Sequence, residues 1–250
     1  MKIVIIGGTG RIGSKTAAIL ALAGHEVIAA APSMGVDAVT GAGLADALAG
    51  ADVVVDAANS PSFADDAVMA FFRSATTNLI AAARTARVRH YVALSVVGTD
   101  RLQGSGYFRA KLVQEQLIAG SGLPFTILRA TQFFEFMGAI AGPPAGDTIA
   151  LPAARMQPMV SDDVATALAG TALADPADAI SEVAGPEAAP VADFVGRWLA
   201  AQHDPRRAVA DPQAPYFGMT IADATLLPGA GARIMATRFD AWLAAQGGAK

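Results

Sequence analysis

The chain of 250 residues contains no cysteine, only 6% aromatic residues and only 16% charged residues. Without cysteine, this sequence can form no disulfide, no thiolate metal site and no thiol nucleophile. Its 18 Lys and Arg residues against 22 Asp and Glu residues give a net charge of −4. This charge argues against a nucleic-acid surface, because phosphate binding needs clustered cations. The three histidines, His25, His90 and His203, are isolated from one another, so we expect no metal site.

Long apolar runs are also missing. A membrane-spanning helix needs about 20 mostly apolar residues, and charges, Gly or Pro interrupt every apolar stretch before that length. The first run, Ile3–Ile6, is too short for the core of a signal peptide. We therefore expect a soluble, cytoplasmic protein, a monomer or homodimer, with neither nucleic acid nor membrane as a partner. The hydrophobic content of 53% suffices for a large buried core.

Apolar strands alternate with helical segments through the first half of the chain. The short runs rich in β-branched residues are Ile3–Ile6, Glu26–Ala30, Val53–Asp56, Val88–Ser95 and Pro124–Leu128. The segments with helical periodicity between them are Arg11–Ala23, Leu44–Ala49, Phe63–Arg87 and Tyr107–Ala119. Strands that are apolar throughout and alternate with helices predict a parallel sheet buried on both faces, hence a doubly wound, Rossmann-like α/β fold. Gly24 and Gly120 mark predicted helix ends, and Ser62 and Ser161 mark predicted helix starts.

The regular alternation of strands and helices ends after Arg129. The later pattern predicts helices at Asp162–Ala174, Val191–Ala201 and Arg233–Ala245, a strand at Ile180–Ala184 and a loop at Pro205–Pro215. These pieces are too short for an independent domain. We therefore predict a single dinucleotide-binding domain over residues 1–250, in which residues from about 131 to 250 contribute a small substrate lobe.

A glycine-rich turn joins the first strand to the first helix. Gly7, Gly10 and Gly13 are spaced three apart directly after the strand. Gly7 allows a tight turn, Gly10 lets the backbone approach a pyrophosphate, and Gly13 lets the helix pack closely on the strand. The helix N-terminus adds a positive partial charge for the pyrophosphate. We therefore predict cofactor contacts along this turn, at Gly7, Thr9, Gly10, Arg11, Ile12 and Gly13.

The choice of dinucleotide depends on the end of the second strand. An acidic residue there favours NAD and a nearby Arg favours NADP, but the sequence has Ser33. Ser33 can donate to a phosphate, and no acid repels one, so the pattern favours NADP while leaving NAD open. After the third strand, Ala58 and Asn59 are further candidates for cofactor contacts.

Three polar residues are predicted to meet beside the cofactor. Ser95 ends the fourth strand, and ligands bind beyond the carboxyl ends of strands in such sheets. Tyr107 and Lys111 lie four residues apart on the next helix and so share one face. A neighbouring ammonium lowers the pKa of a phenol, so Tyr107 is predicted as general acid for carbonyl reduction, with Ser95 donating to the same oxygen.

Together these motifs resemble the short-chain dehydrogenase/reductase superfamily. Gly7-x-x-Gly10-x-x-Gly13, Ser95 and Tyr107-x-x-x-Lys111 carry the resemblance, and Phe125–Arg129 and Val160–Ala165 are similar to segments of its extended, NmrA-like branch. The resemblance implies that Tyr107 is the catalytic acid/base, Lys111 its partner and a ribose ligand, and Ser95 the substrate-polarising group. The chain departs from the family where an acid is usual, at Thr40–Leu44, and it offers no secure match for the catalytic Asn, since Asn78 falls in a predicted helix.

The substrate side is less defined. Gln132 and Phe133 follow the fifth strand and are candidates for binding a substrate polar group and an apolar surface, although packing explains the aromatic residue equally well. The leading expectation is an NAD(P)H-dependent reductase of a small ketone, aldehyde or quinone. A nucleotide-sugar epimerase or dehydratase, and a non-catalytic dinucleotide sensor, remain open as alternatives.

Overall fold

The computed structural model describes residues 1–143 and 146–247 of the chain. In the first half, strands and helices alternate as the apolar pattern predicts. The strands there are β1 (Lys2–Ile6), β2 (Glu26–Ala30), β3 (Val53–Asp56), β4 (His90–Val96) and β5 (Phe125–Ala130). The helices between them are α1 (Arg11–Leu22), α2 (Leu44–Leu48), α3 (Asp65–Thr85) and α4 (Gly106–Ala119). Each lies within two residues of its predicted bounds.

The second half is built from shorter elements. Its helices are α5 (Met137–Ala141), α6 (Ser161–Leu173), α7 (Val191–Ala201) and α8 (Phe239–Gly247). Its strands are β6 (Thr148–Pro152), β7 (Arg155–Met156), β8 (Ala179–Ala184), β9 (Ala189–Pro190), β10 (Arg207–Asp211) and β11 (Arg233–Ile234). The helix predicted at Val191–Ala201 has the observed bounds. The helix predicted at Asp162–Ala174 is shifted by one residue, and the strand predicted at Ile180–Ala184 begins one residue earlier.

Seven strands form a central sheet in the order β11-β8-β5-β4-β3-β1-β2. The β1–β2, β1–β3, β3–β4 and β8–β11 pairs are parallel. Crossover helices connect parallel neighbours. In the middle of the sheet β3 is buried at every residue and β1 at all but its first, as a sheet covered on both faces requires. The predicted Rossmann-like α/β fold is confirmed.

Two predictions for the second half are wrong. The segment Pro205–Pro215 was expected to be a loop, but Arg207–Asp211 forms β10, which pairs in parallel with β6. Its flanking prolines end the strand without interrupting it. The segment Arg233–Ala245 was expected to be one helix, but Arg233 and Ile234 pair with β8 and the helix begins only at Phe239.

The predicted helix boundaries hold in part. Gly24 lies two residues after the end of α1 and has a φ of 83°, as a left-handed helix end requires, whereas Gly120 follows α4 with a φ of −82°. Ser62 does not cap α3, because the helix starts at Asp65 and the Ser62 hydroxyl instead accepts from the Ala64 N–H at 3.3 Å. At the start of α6, the Ser161 hydroxyl donates to the carboxylate of Glu135.

The chain divides into two compact units. Unit 1 comprises Met1–Arg129 and Val164–Ser181, and unit 2 comprises Ala130–Asp163 and Glu182–Lys250. Residues 144, 145 and 248–250 of the predicted substrate lobe lie outside the described residues. Within the described ranges, none of the helices has the length and apolar character that crossing a membrane would take.

Each unit has its own apolar core. In unit 1, the side chains of β1, β3 and β4 pack against α2 and α3, with Leu48, Leu79 and Tyr91 fully buried. In unit 2, the ring of Phe134 lies 4.9 Å from that of Phe239, which in turn contacts Phe194 at 5.2 Å. These cores fix the strand ends and loops that carry the candidate functional residues.

Candidate functional site

The carboxyl ends of four strands of unit 1 lie in register at one edge of the sheet. Ile6, the last residue of β1, pairs with Ala30 of β2 and with Asp56 of β3. Asp56 pairs in turn with Ala93 of β4. The residues that follow these strand ends therefore emerge side by side, at the edge where parallel sheets bind ligands.

The glycine turn has the geometry of a sharp strand-to-helix connection. Gly7 has a φ of 76°, and a Cβ there would lie 2.8 Å from the carbonyl oxygen of Ala57. A Cβ on Gly13 would lie only 2.2 Å from the carbonyl oxygen of Gly7. The N–H groups of Gly7 and Gly8 donate to the Ala30 carbonyl at 2.9 and 3.1 Å, which fixes the turn against β2. Side chains at positions 7 and 13 would thus break the turn.

The middle glycine differs in a way that fits a diphosphate. A Cβ on Gly10 would meet only the Gly7 carbonyl oxygen, at 3.2 Å. No side chain in the described part of the chain caps α1, and its first turn carries no acid. Its first N–H groups have no acceptor within the helix, and Thr9, Gly10 and Arg11 are exposed. The turn therefore has free donors and space for an anion, as binding of a dinucleotide would need.

The other predicted cofactor residues lie on the loops after β2 and β3. Ser33 is exposed in a single helical turn directly after β2. Asn59 is exposed after β3, and the Ala58 N–H donates to the Asp56 carboxylate at 3.2 Å. These positions border the glycine turn, because β2 and β3 flank β1 in the sheet.

Tyr107 lies in the first turn of α4, among aromatic rings. Its ring is half-buried and contacts Phe63 at 5.6 Å and Phe72 at 6.0 Å between centroids. Its hydroxyl makes no hydrogen bond to any residue that the structure describes. Burial raises the pKa of Tyr107 to about 12, whereas Lys111 was expected to lower it. The phenol therefore holds its proton at neutral pH.

Lys111 is buried one turn further along α4. Its Nζ donates to the Leu94 carbonyl at 2.9 Å and to the Gln114 side chain, and it lies 4.6 Å from the centre of the Phe72 ring. Burial lowers the pKa of Lys111 to about 8, against the opposing effect of the carboxylates of Asp56 and Glu115. The ring of Phe72 thus contacts both Tyr107 and Lys111.

The Ser95 hydroxyl is bound to a carboxylate of α4, that of Glu115. It donates to Oε1 of Glu115 at 2.5 Å. Glu115 in turn accepts two hydrogen bonds from Arg129, at 2.9 Å from Nε and 2.6 Å from Nη2, and Arg129 also donates to Asp100 at 3.0 Å. Because a hydroxyl has one proton, Ser95 in this arrangement has none left to give to a substrate.

A second buried network surrounds Asp56. Its carboxylate accepts from the Tyr91 hydroxyl at 3.1 Å and from the Gln114 amide at 2.9 Å. Burial raises the pKa of Asp56, although Lys111 opposes the shift. The sequence reasoning missed Asp56, Gln114 and Glu115. Their spacing gave one signal, since Gln114 and Glu115 follow Lys111 by three and four residues on the same helix.

The predicted substrate residues belong to unit 2. The Gln132 side chain is buried and Phe133 is half-buried, with its ring stacked on that of Phe136 at 5.6 Å. The structure thus gathers Ser95 and Lys111 into two adjoining networks in unit 1 and places Tyr107 beside them, across Phe72. Across residues 1–143 and 146–247, no cluster of three or more His, Asp or Glu side chains is arranged to hold a metal ion.

Comparison with known proteins identifies the cofactor domain. The model of a family described as NAD(P)H-binding matches residues 7–172, from the first glycine of the turn into the last turn of α6. No curated protein sequence matches the chain. The matched range contains the glycine turn, both buried networks and Tyr107.

Solved structures share the fold across nearly the whole chain at low identity. A short-chain dehydrogenase/reductase superfamily protein from Agrobacterium tumefaciens with bound NAD is 17% identical, with a TM-score of 0.70 over 99% of this chain and 96% of that one. The UDP-glucose 4-epimerase of Thermus thermophilus in complex with NAD is 16% identical, with a TM-score of 0.68 over 91% and 92%. The dTDP-4-dehydrorhamnose reductase of Bacillus anthracis strain Ames in complex with NADP is 11% identical, with a TM-score of 0.69 over 94% and 89%.

These comparisons agree with the geometry of the turn. The predicted nicotinamide dinucleotide cofactor is confirmed as NAD(P), without a choice between the two forms. The resemblance to the short-chain dehydrogenase/reductase superfamily agrees with the matched NAD(P)H-binding domain and with the fold that the chain shares with a protein of that superfamily. The chain belongs to the NAD(P)H-binding family, and its Rossmann-like fold is similar to that of a short-chain dehydrogenase/reductase superfamily protein.

Proposed function

We propose that this protein is an NAD(P)H-dependent oxidoreductase that reduces a small carbonyl compound, a ketone, aldehyde or quinone. The observation that carries the proposal is the placement of Tyr107. Its hydroxyl makes no hydrogen bond to the described residues, and Lys111 lies one helical turn away on α4. Burial raises the pKa of Tyr107 to about 12. Both residues belong to the same compact unit as the glycine turn.

The raised pKa of Tyr107 keeps the phenol protonated, which is the form that a general acid needs. Reduction of a carbonyl adds a hydride to carbon and a proton to oxygen. The hydride would come from bound NAD(P)H, which would be oxidised to NAD(P)⁺. Tyr107 gives its proton to the oxygen, and an alkoxide-like oxygen is basic enough to take it from a phenol with a pKa of about 12. In the reverse reaction the base would be the tyrosinate, which this environment disfavours at neutral pH.

The remaining residues bind and orient. The main chain of the turn at Gly7, Gly10 and Gly13 would hold the diphosphate, with Thr9, Arg11 and Ile12 at the start of α1. Ser33, Ala58 and Asn59 would contact the adenosine part, with Ser33 favouring NADP, and Lys111 would reach the ribose. Gln132 and Phe133 are the proposed substrate contacts. Ser95 can donate to the substrate only if its proton leaves Glu115, so the proposal assigns the proton transfer to Tyr107.

The test compares two tyrosine variants. Oxidation of NADPH and NADH is followed against a panel of small ketones, aldehydes and quinones, with the parent protein, Tyr107→Phe and Tyr216→Phe. Tyr216 is the matched control, because it is also a tyrosine packed against a phenylalanine but lies in unit 2. Loss of the general acid is expected to lower kcat by about 10²–10⁴-fold in Tyr107→Phe, with little change in Tyr216→Phe. Equal activity of the Tyr107→Phe variant and the parent would overturn the assignment of Tyr107.

Two alternatives have support of their own. The solved structures with this fold include a protein named as a nucleotide-sugar epimerase, and turnover of a nucleotide sugar without net NAD(P)H oxidation would favour that chemistry. The internal hydrogen bonds of Ser95 and Lys111 suit a sensor that binds the dinucleotide without turnover. Tight cofactor binding with no turnover of any carbonyl in the panel would favour the sensor.

A further inference from the structure

Phe63 is an aromatic side chain that lies open to solvent beside the proposed acid. It is 65% exposed, and the centre of its ring lies 5.6 Å from that of Tyr107 at an interplanar angle of 48°. Single exposed apolar side chains are common on protein surfaces, so the exposure of Phe63 alone indicates no function. What distinguishes Phe63 is that the side chain it contacts is Tyr107.

The loop that carries Phe63 is held in place by two serine side chains. The buried hydroxyl of Ser60 donates to the Ser62 carbonyl at 2.7 Å, and the Ala64 N–H donates to the Ser62 hydroxyl at 3.3 Å. The loop leads from β3 to α3 and also contains Asn59, a predicted cofactor contact. The ring of Phe63 is therefore presented from a defined place in unit 1, the unit that holds the glycine turn and Tyr107.

Proton donation by Tyr107 brings a substrate close to this ring. Among the described residues, the polar side-chain atoms that are fully buried without a partner do not include the Tyr107 hydroxyl, so this group is open to solvent. A carbonyl oxygen that takes its proton lies about 2.7 Å from it. Since the rings of Tyr107 and Phe63 are neighbours, a substrate with a six-membered ring beside its carbonyl can lie against Phe63 while its oxygen faces Tyr107.

The side chains that surround Tyr107 favour a flat, apolar partner. Phe72 and Phe108 also contact Tyr107, at 6.0 and 5.5 Å between centroids, but they are only 1% and 8% exposed. Phe63 is therefore the ring of this group with a free surface. An aromatic ring gains more from stacking on another flat π-system than from covering with an aliphatic group of equal size.

We propose that Phe63 is a specificity-determining residue whose ring stacks on a flat, conjugated carbonyl substrate, such as an aromatic aldehyde, an aryl ketone or a quinone. The inference rests on the proposed function, because it takes the stacked ligand to be the one that receives the proton of Tyr107. It narrows the proposed substrates to carbonyl compounds with a conjugated ring.

The test uses two aldehydes that differ in the flatness of their ring. Benzaldehyde and cyclohexanecarbaldehyde have the same carbon skeleton, but only the first is flat. We expect the ratio of their kcat/KM values to fall about fivefold in Phe63→Leu, which corresponds to about 1 kcal/mol, because leucine keeps an apolar surface but has no ring. Phe63→Tyr keeps the ring and should keep the ratio.

Phe217→Leu is the matched control, because Phe217 is 62% exposed but belongs to unit 2. This variant should have the ratio of the parent. Thermal unfolding without ligand checks that each variant folds, as expected for substitutions of exposed side chains. An unchanged ratio in Phe63→Leu, or an equal fall in Phe217→Leu, overturns the inference.

A second measurement needs no turnover. Benzamide and cyclohexanecarboxamide form the same flat and puckered pair without an aldehyde, and their binding in the presence of NADP⁺ is titrated by ligand-observed NMR. The parent and Phe63→Tyr should bind benzamide more tightly than cyclohexanecarboxamide, and Phe63→Leu should lose this preference. Equal preference in the parent and Phe63→Leu also overturns the inference.

The two measurements separate this inference from the proposed function. If both aldehydes are reduced and their ratio does not depend on Phe63, the inference fails and the proposed function stands. If no carbonyl compound is reduced but the preference for benzamide depends on Phe63, the proposed function fails and the binding role of Phe63 stands.

Discussion

Replacement of Glu115 by glutamine removes one charge from the buried pair with Arg129 while keeping the shape of the side chain. The two side chains are only 4% and 9% exposed, and their closest atoms are 2.6 Å apart. Loss of one member of such a pair typically costs about 3–5 kcal/mol, because the remaining charge stays buried. Arg129 keeps Asp100 at 3.0 Å, whose side chain is 54% exposed, so we expect a loss near the lower limit, about 3 kcal/mol.

The free energy of unfolding is measured by urea denaturation. Asp223→Asn serves as the control, because Arg155 and Asp223 are 2.7 Å apart but about half exposed, and its loss should fall within the error of the titration. The double variant Glu115→Leu with Arg129→Met removes both charges and should lose less than the single variant. A loss below about 1 kcal/mol for Glu115→Gln, or an equal loss in the double variant, would refute the reasoning.

Three further predictions follow from the cofactor turn, the loop after β2 and the buried lysine. Gly10→Ala should unfold at nearly the parent's thermal midpoint but lose the stabilisation that NADPH gives. Gly13→Ala should be strongly destabilised, because its Cβ would lie 2.2 Å from the Gly7 carbonyl oxygen. Equal thermal midpoints of the two variants would contradict this expectation. Ser33→Asp should weaken binding of NADPH relative to NADH, measured by fluorescence titration, and an unchanged ratio would argue against a role for Ser33 in selecting the phosphate. The pKa of Lys111 is about 8 in the folded protein against 10.5 for an unperturbed lysine. Between these pH values the unfolded chain binds more protons than the folded protein, so the free energy of unfolding should rise from pH 8 to 10.5. This rise should be smaller in Lys111→Met, and parallel curves of unfolding free energy against pH for the two proteins would contradict the shift.

The sequence alone predicts the first half of the fold well because its signals are local. Val53–Asp56 and Glu26–Ala30 are short apolar runs between helical segments, and the structure has them as strands with those bounds. β10 could not be found in the same way, because Pro205 and Pro212 bracket it and its partner is the distant strand β6. β11 consists of two residues, too few to show any period.

In the candidate site, too, the features set by a local motif could be predicted from the sequence, and those set by distant residues could not. The glycine turn is a continuous motif, so its position and its tight approach to the neighbouring backbone follow from spacing. The environment of Ser95 does not follow from spacing. It depends on the carboxylate of Glu115, 20 residues away along the chain, and on Arg129, 14 residues further. Spacing places Tyr107 and Lys111 on one helix, but the burial that raises one pKa and lowers the other comes from side chains of other elements, such as Phe72.

Phe72 has no reactive group, yet its ring contacts both the proposed acid and the buried ammonium. It belongs to α3, an element outside both the glycine motif and the Tyr-Lys motif. A substitution of this one hydrocarbon side chain can therefore change the pKa of both Tyr107 and Lys111, while both reactive groups stay in place. A directed-evolution library aimed at new activity or a new pH range would gain by including that position from its first round.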